Sequence, residues 1–412
     1  MTVYLDHAAT TPMLPEAIAA LTDALGRVGN PSSIHAAGQE AKRLLEGARE
    51  TIAATLDCDP IEVVLTGGGT EAVNLAIKGL WWARQADAPE PAAPGTARPR
   101  VLMPAGEHHA TIDTGEWLEA HEGAVVEEIP LDALGRVDVD AFARALAHSP
   151  ETIALATMLW ANNEVGTLQP VAEVAALAAD AGVPLHVDAI AAYGHVPVRF
   201  AAARAASGSG GAGLVALSVS AHKIGGPVGA GALVLARSAR VEPLLHGGGQ
   251  QRRIRSGTQD VAAAVSFAAA ASVAADSLDA EAARVSALRD RLVAGVREAV
   301  PDAVPSGDPV DRLPGNAHFA FPGCEGDSLL FLLDMAGVAV STGSACQAGV
   351  AEPSHVLRAM GRSEADSRGA LRVTLGRTTT DAGVDAFLAA LPAAHEAAAR
   401  AGLAARATSF DR

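Results

Sequence analysis

The chain has 412 residues, 49% of them apolar and 19% charged, and a formal net charge of −16. That length allows two domains with separate cores, and the acidic balance excludes nonspecific nucleic-acid binding, which needs a basic excess to neutralise phosphates. Three cysteines form neither a disulfide framework nor a metal-ligand spacing, no signal peptide or membrane span is expected, and a cytoplasmic protein follows.

From about residue 60 to 236 short apolar runs alternate with amphipathic stretches. Strands are expected at Ile61–Leu65, Val101–Met103, Val125–Ile129, Ile153–Met158, Leu185–Val187 and Val215–Val219. Helices are expected at Thr70–Trp82, Ala110–His121, Val139–Ala147 and Val171–Ala181. The alternation predicts an α/β fold with a mostly parallel sheet, whose ligands gather at the carboxyl ends of the strands. Ala88–Pro99 and Ser207–Gly213 read as surface loops. A long Ala/Val-rich helical stretch from about 260 to 300 suits a hinge. Beyond it, strands near Asn316–Phe321 and Leu371–Leu375 suggest a smaller α+β unit. The expected division is a large domain over 16–265 and a small one from 1–15 and 266–412.

Three segments carry chemistry. In Leu65-Thr-Gly-Gly-Gly-Thr-Glu-Ala-Val73 a strand enters three glycines and a helix opens at Thr70, so free N–H groups and the positive helix end converge as a phosphate would require. A ligand-free tight turn is the alternative. In Leu185-His-Val-Asp-Ala189 a carboxylate ends a strand, where it could hold a protonated ring nitrogen or merely cap a helix. Lys223 follows another strand, in Ser218-Val-Ser-Ala-His-Lys-Ile-Gly-Gly-Pro227. It reads as an ordinary loop lysine unless Ser220 and His222 beside it serve a phosphate. Together, phosphate cradle, acidic residue and strand-end lysine suit pyridoxal phosphate, which needs a Schiff-base lysine, an acidic partner for its ring nitrogen and a phosphate anchor. Separately, Cys346 sits in Ser341-Thr-Gly-Ser-Ala-Cys-Gln-Ala-Gly349. Such a run of small residues suits a mobile arm presenting a reactive thiol.

These segments, with Tyr4-Leu-Asp-His-Ala-Ala-Thr-Thr-Pro12, Gly29-Asn-Pro-Ser-Ser-Ile-His35, Thr70-Glu-Ala-Val-Asn-Leu-Ala-Ile-Lys78, Asn162-Asn-Glu-Val-Gly166 and Arg255-Ser-Gly-Thr258, resemble the NifS/IscS-like cysteine desulfurases. Those are class V, fold-type I enzymes dependent on pyridoxal phosphate, and the resemblance runs from about residue 4 to 380. It implies that Lys223 carries the cofactor, that Asp188 faces its ring nitrogen, and that His108 stacks on the ring and shuttles protons. Asn163 would lie near the phenolic oxygen. Gly69, Thr70, Ser220 and His222 would bind the phosphate, joined by Thr258 from the partner subunit of a homodimer. Arg372, assisted by Asn30, would clamp the carboxylate of L-cysteine, a task suited to a planar bidentate fork. Cys346 would then take the sulfur as a persulfide, leaving alanine, and pass it to an acceptor protein such as an iron–sulfur scaffold.

Two departures stand out. Ala191 occupies the place of a family glutamine that bonds the phenolic oxygen, a loss of ~1–2 kcal/mol. The end, Ala397–Arg412, does not resemble the tail by which some relatives dock a scaffold protein. Other readings on the same scaffold are a selenocysteine lyase, a class V aminotransferase, and a weakly active regulatory paralogue. The cysteine segment argues against transamination, which needs no thiol.

Overall fold

The computed structural model describes residues 2–87, 96–207, 210–343 and 353–407. Much of the Pro/Ala-rich stretch, part of the Gly/Ser-rich stretch, and Cys346 with its flanking residues 344–352 lie outside the described residues.

The chain begins with strand β1 (Val3–Tyr4) and helices α1 (Pro15–Leu25) and α2 (Ala36–Leu56). The expected alternation follows as β2 (Val63–Thr66), α3 (Gly69–Ala86), β3 (Arg100–Pro104), α4 (His109–Glu122), β4 (Val125–Ile129) and α5 (Val139–Ala147). It continues as β5 (Ile153–Leu159), α6 (Val171–Asp180), β6 (Pro184–Asp188), α7 (Phe200–Arg204), β7 (Gly213–Ser220) and β8 (Gly231–Leu235). The strands form one seven-stranded sheet in the order β2-β8-β7-β6-β5-β3-β4. Only β8 runs antiparallel to its neighbours. Every residue of β5, β6 and β7 is buried, which is why they read as continuous apolar runs rather than alternating ones.

Two local differences from the sequence expectation have clear causes. Ile61 and Glu62 belong to a tight turn, not to the strand, because Pro60 starts a 3-10 helix (Pro60–Glu62) and the Asp59 N–H donates to Glu62 Oε2 at 3.0 Å. Strand β8 was not anticipated. Its apolar part is short and follows a glycine-rich turn, and Gly231 is there because a Cβ would meet the Gly68 backbone at 2.7 Å.

The rest comprises α8 (Val261–Asp276), α9 (Leu278–Ala299), β9 (Val304–Ser306), β10 (Asn316–Ala320) and α10 (Gly326–Met335). Then come β11 (Val338–Ala339), α11 (His355–Ala359), α12 (Glu364–Arg368), β12 (Ala370–Thr374) and α13 (Asp381–Ala407). Strands β12, β10 and β9 make an antiparallel sheet, and β1 pairs with β11 in parallel. The single helical stretch expected from 260 to 300 is two helices bent by 72°. Ser277 marks the break, its hydroxyl donating to the Val273 carbonyl at 2.6 Å, a back-bond that bends helices. The bend also changes cores. Phe267, Ala270, Ala271 and Ala274 of α8 pack with the large sheet, whereas Val285, Leu288 and Leu292 of α9 pack with Phe319, Leu371 and Phe387. The boundary expected at 265 thus falls inside α8. Among the described residues, no single helix is long and apolar enough to cross a membrane.

Residues 5–14 form a strap between these two cores. The Thr374 N–H donates to the Leu5 carbonyl at 2.7 Å and the Ala8 N–H to Thr374 Oγ1 at 2.9 Å. Further along, the Thr11 N–H reaches the His222 carbonyl and the Leu14 N–H the Gly225 carbonyl.

Candidate active site

Gly69, after β2, lies against Ser220 at the end of β7, and Asp188 at the end of β6 feels the Lys223 charge. After β2 the backbone turns through Gly68, whose φ of 143° only glycine adopts readily, and α3 begins with no side chain capping its first turn. The first N–H groups of α3 are therefore available to an anion. Gly69 sits against the end of β7, since a Cβ there would come within 3.4 Å of Ser220 Cβ and 2.3 Å of Ile190 Cδ1. The Ser220 hydroxyl is buried and has no hydrogen-bond partner among the described residues. A buried hydroxyl without a partner costs free energy, and its neighbours here are an uncapped helix start and a cationic turn.

Asp188 ends β6 and is almost wholly buried. Its Oδ1 accepts the Ile190 N–H at 2.8 Å. Burial pushes the carboxyl up to about 6, against the pull of that bond and of the Lys223 charge. Behind it, burial and then the Asp188 charge hold Glu107 well above the usual carboxylate range. Glu107 Oε1 accepts the Leu159 N–H at 2.9 Å while Oε2 has no partner. His186, two residues before Asp188 on the same strand, bridges Thr157 and Ser218 at 2.9 and 2.8 Å. It ties three strands together beneath the site.

Lys223 lies in a 3-10 turn (Ala221–Ile224) after β7. Its amine donates to the Ala9 carbonyl at 3.0 Å and also to the Ala8 carbonyl. Burial, reinforced by the Arg372 charge, lowers it to about 8. His222 beside it meets Thr10 Oγ1 at 3.2 Å. Burial and then the Lys223 charge lower His222 to about 4.

The adjacent histidines at the start of α4 separate cleanly. His108 caps the helix, its Nδ1 accepting the Ala110 N–H at 3.0 Å. That bond assigns the proton of the neutral ring to Nε2. Crowding and then the Lys223 charge lower it to about 4. His109 instead turns to Asp113 at 3.4 Å and packs edge-on against His355. The family resemblance assigns His108 to the site, and Lys223 is an electrostatic neighbour of His108.

Arg372 comes from β12 and is buried. Nη1 donates to the Asn163 carbonyl at 2.9 Å and Nη2 to Asp6 Oδ1 at 3.1 Å, while Nε has no partner among the described residues. Its backbone pairs with Ser341, N–H to carbonyl at 2.7 Å and 3.1 Å in the two directions. Residue 341 opens the cysteine segment, which therefore departs from beside Arg372. Further along, the Ser354 hydroxyl donates to the buried Glu164 carboxylate at 2.5 Å. Cys346 itself lies outside the described residues. The other two thiols are poor nucleophiles: burial pushes Cys58 up to about 12, and burial also raises Cys324.

Not every expected residue joins this cluster. Asn30 is exposed, and its side chain accepts the Ser32 N–H at 2.9 Å. Thr258 is exposed and lines a separate recess with Thr66, Gly67 and Arg255. Arg255 does reach the anion-binding turn indirectly, through its ion pair with Glu71 at 2.8 Å. Ala191, with Asn163, His195 and Lys223, lines a cavity of about 150 Å³. The sequence reading missed Asp6, Glu107 and Glu164 as parts of the site. Acidic residues in quoted motifs were the available signal, but burial and partners decide their role.

Comparison with known proteins places the chain in a family. The family model for class-V aminotransferases matches residues 3–387. An IscS-like cysteine desulfurase from Mycobacterium tuberculosis is 51% identical over 408 residues, 98% of this chain and 99% of the relative. The cysteine desulfurase NifS of Azotobacter vinelandii is 37% identical, covering 95% of this chain and 92% of its own. A solved NifS-like protein superposes with a TM-score of 0.83 at 30% identity, over 96% of this chain and 99% of its own. SspA, solved in complex with cysteine, gives 0.74 at 28% identity, over 92% and 100%. The α/β architecture is thus that of fold-type I enzymes, and the chain belongs to the class-V aminotransferase family, among its NifS/IscS-like cysteine desulfurases.

Proposed function

We propose that the chain is a pyridoxal-phosphate-dependent L-cysteine desulfurase that collects sulfur as a persulfide on Cys346. One observation carries the reading furthest. Arg372, a carboxylate-binding fork within electrostatic reach of Lys223, is backbone-paired with the residue from which the cysteine segment departs.

The residues present fit the cofactor. The partnerless Ser220 hydroxyl and the uncapped start of α3 offer donors to a phosphate, with Gly69, Thr70 and His222 at the same place and Thr258 supplied by a second copy in a homodimer. The free Oδ2 of Asp188 suits a protonated ring nitrogen, Lys223 an aldehyde carbon, and Asn163 a phenolic oxygen. When bound, the cofactor would supply an electron sink for negative charge at the substrate's α-carbon. Lys223, lowered to about 8, has an appreciable neutral fraction near neutrality and can take and return a proton. His108, neutral with its proton on Nε2, can deliver a proton toward the substrate. Arg372 orients the amino acid by its carboxylate, assisted by Asn30 as the family resemblance implies. The Cys346 thiolate then forms a bond to the substrate sulfur as the Cβ–S bond breaks. The bonding pair stays with the carbon, which is protonated to give alanine, and an acceptor protein takes the sulfur. SspA was solved with cysteine bound, which supports this amino acid over the carboxylates of ordinary transamination. We place the protein in the cytoplasm, where thiols such as Cys58 and Cys324 stay reduced.

The test is a Cys346→Ala enzyme. It should retain the visible absorbance of the loaded protein and lose sulfide release from L-cysteine with a thiol reductant. Sulfide release at the wild-type rate would refute the persulfide route.

A further inference from the structure

Asp6 has no assigned role, yet it holds a substrate-facing group. It lies on the strap, and its carboxylate takes Nη2 of Arg372 at 3.1 Å, with side-chain exposures of 7% for the arginine and 19% for the aspartate. The strap fixes it there: residue 6 bridges to Thr374, the His7 N–H reaches the Thr374 carbonyl, and the Tyr4 hydroxyl donates to the Asp6 carbonyl at 2.9 Å. A guanidinium has five N–H donors. Among the described residues, the Asn163 carbonyl and Asp6 take one from each terminal nitrogen, and Nε is buried without a partner. One N–H on each terminal nitrogen remains for an incoming carboxylate. That carboxylate must bind a cation whose charge Asp6 already balances.

We infer that Asp6 is a positioning residue that sets how tightly Arg372 grips α-carboxylates, fixing the fork's plane while weakening its net attraction. The inference rests on Arg372 being the carboxylate clamp. Its use is release: substrate and product carry the same carboxylate and amine, so an arginine left unbalanced in a secluded site would retain alanine as firmly as it takes cysteine. A purely structural Asp6 predicts the opposite, because losing the ion pair would loosen Arg372 and weaken binding.

Asp6→Asn keeps an acceptor oxygen and removes the charge. On the loaded enzyme, calorimetry with L-alanine should show about fivefold tighter binding. The KM for L-cysteine should fall by a similar factor, with kcat reduced as alanine leaves more slowly. Cysteamine, which lacks the carboxylate, should bind as it does to wild type. Asp6→Ser is a second charge-removing variant with the same expectation, and Arg372→Lys should weaken L-alanine and not cysteamine. Unchanged or weaker alanine binding in both Asp6 variants, with Arg372→Lys still weakening it, would overturn the role of Asp6 and leave the clamp standing. Arg372→Lys binding alanine normally would overturn both.

Discussion

On the floor of the site, Asp188 ends β6, Ser220 ends β7 and Lys223 stands three residues further, all set by a sheet buried on both faces. On its wall, Arg372 is oriented by Asp6, 366 positions away in the chain, and by the Asn163 carbonyl. The floor is built on the large sheet, although the Lys223 amine also donates to the Ala8 and Ala9 carbonyls of the strap. The wall exists only while the strap, β12 and the residue at 341 stay paired. Damage to the floor should therefore abolish cofactor chemistry, whereas damage to the wall should alter how amino acids bind and leave the chromophore in place.

Lys223→Ala strikes the floor and should have the largest effect. Covalent capture of the cofactor disappears, and alanine formation falls by at least about a thousandfold. Absorbance after dialysis and an alanine assay read both, and an unchanged chromophore would remove Lys223 from its role. Phe387→Ala strikes the wall from a distance. Phe387 is fully buried in the second core, and truncation should cost about 3–5 kcal/mol of stability. Calorimetric unfolding should show that loss, with a raised KM for L-cysteine and an intact chromophore. Loss of the chromophore in step would erase the distinction between floor and wall.

Smaller effects sharpen the floor. Ser220→Ala should weaken cofactor affinity about tenfold, read by titrating the cofactor-free protein. Unchanged affinity would mean that the buried hydroxyl is not a phosphate ligand. For pH, Lys223 is lowered to about 8 and only its neutral amine attacks an aldehyde. The rate of cofactor capture should rise with pH through about 8 and level off above it. A rise centred near the ordinary lysine value would contradict the burial of this amine.

The same contrast explains what the sequence revealed. Asp188 and Lys223 were legible because each follows an apolar run that could only be a buried strand, and strand ends are where such sheets bind ligands. The glycines before Thr70 were legible for a similar local reason. Arg372 was recognised through the family motif around it, since an arginine inside a strand pattern otherwise suggests a structural ion pair. Asp6 and Glu164 were present in quoted motifs but had no role, because their partners lie far along the chain and no local pattern encodes that pairing. Glu107 immediately precedes His108 in the chain. Its importance comes from being buried beside Asp188, which periodicity does not reveal.

The central claim is that sulfur passes from L-cysteine to Cys346. Loaded enzyme given one equivalent of L-cysteine without reductant, then alkylated, digested and examined by mass spectrometry, tests it directly. The account predicts one added sulfur on the peptide containing Cys346, in step with alanine formed. Alanine produced with no sulfur on that peptide, or with sulfur on Cys58 or Cys324 instead, would contradict it.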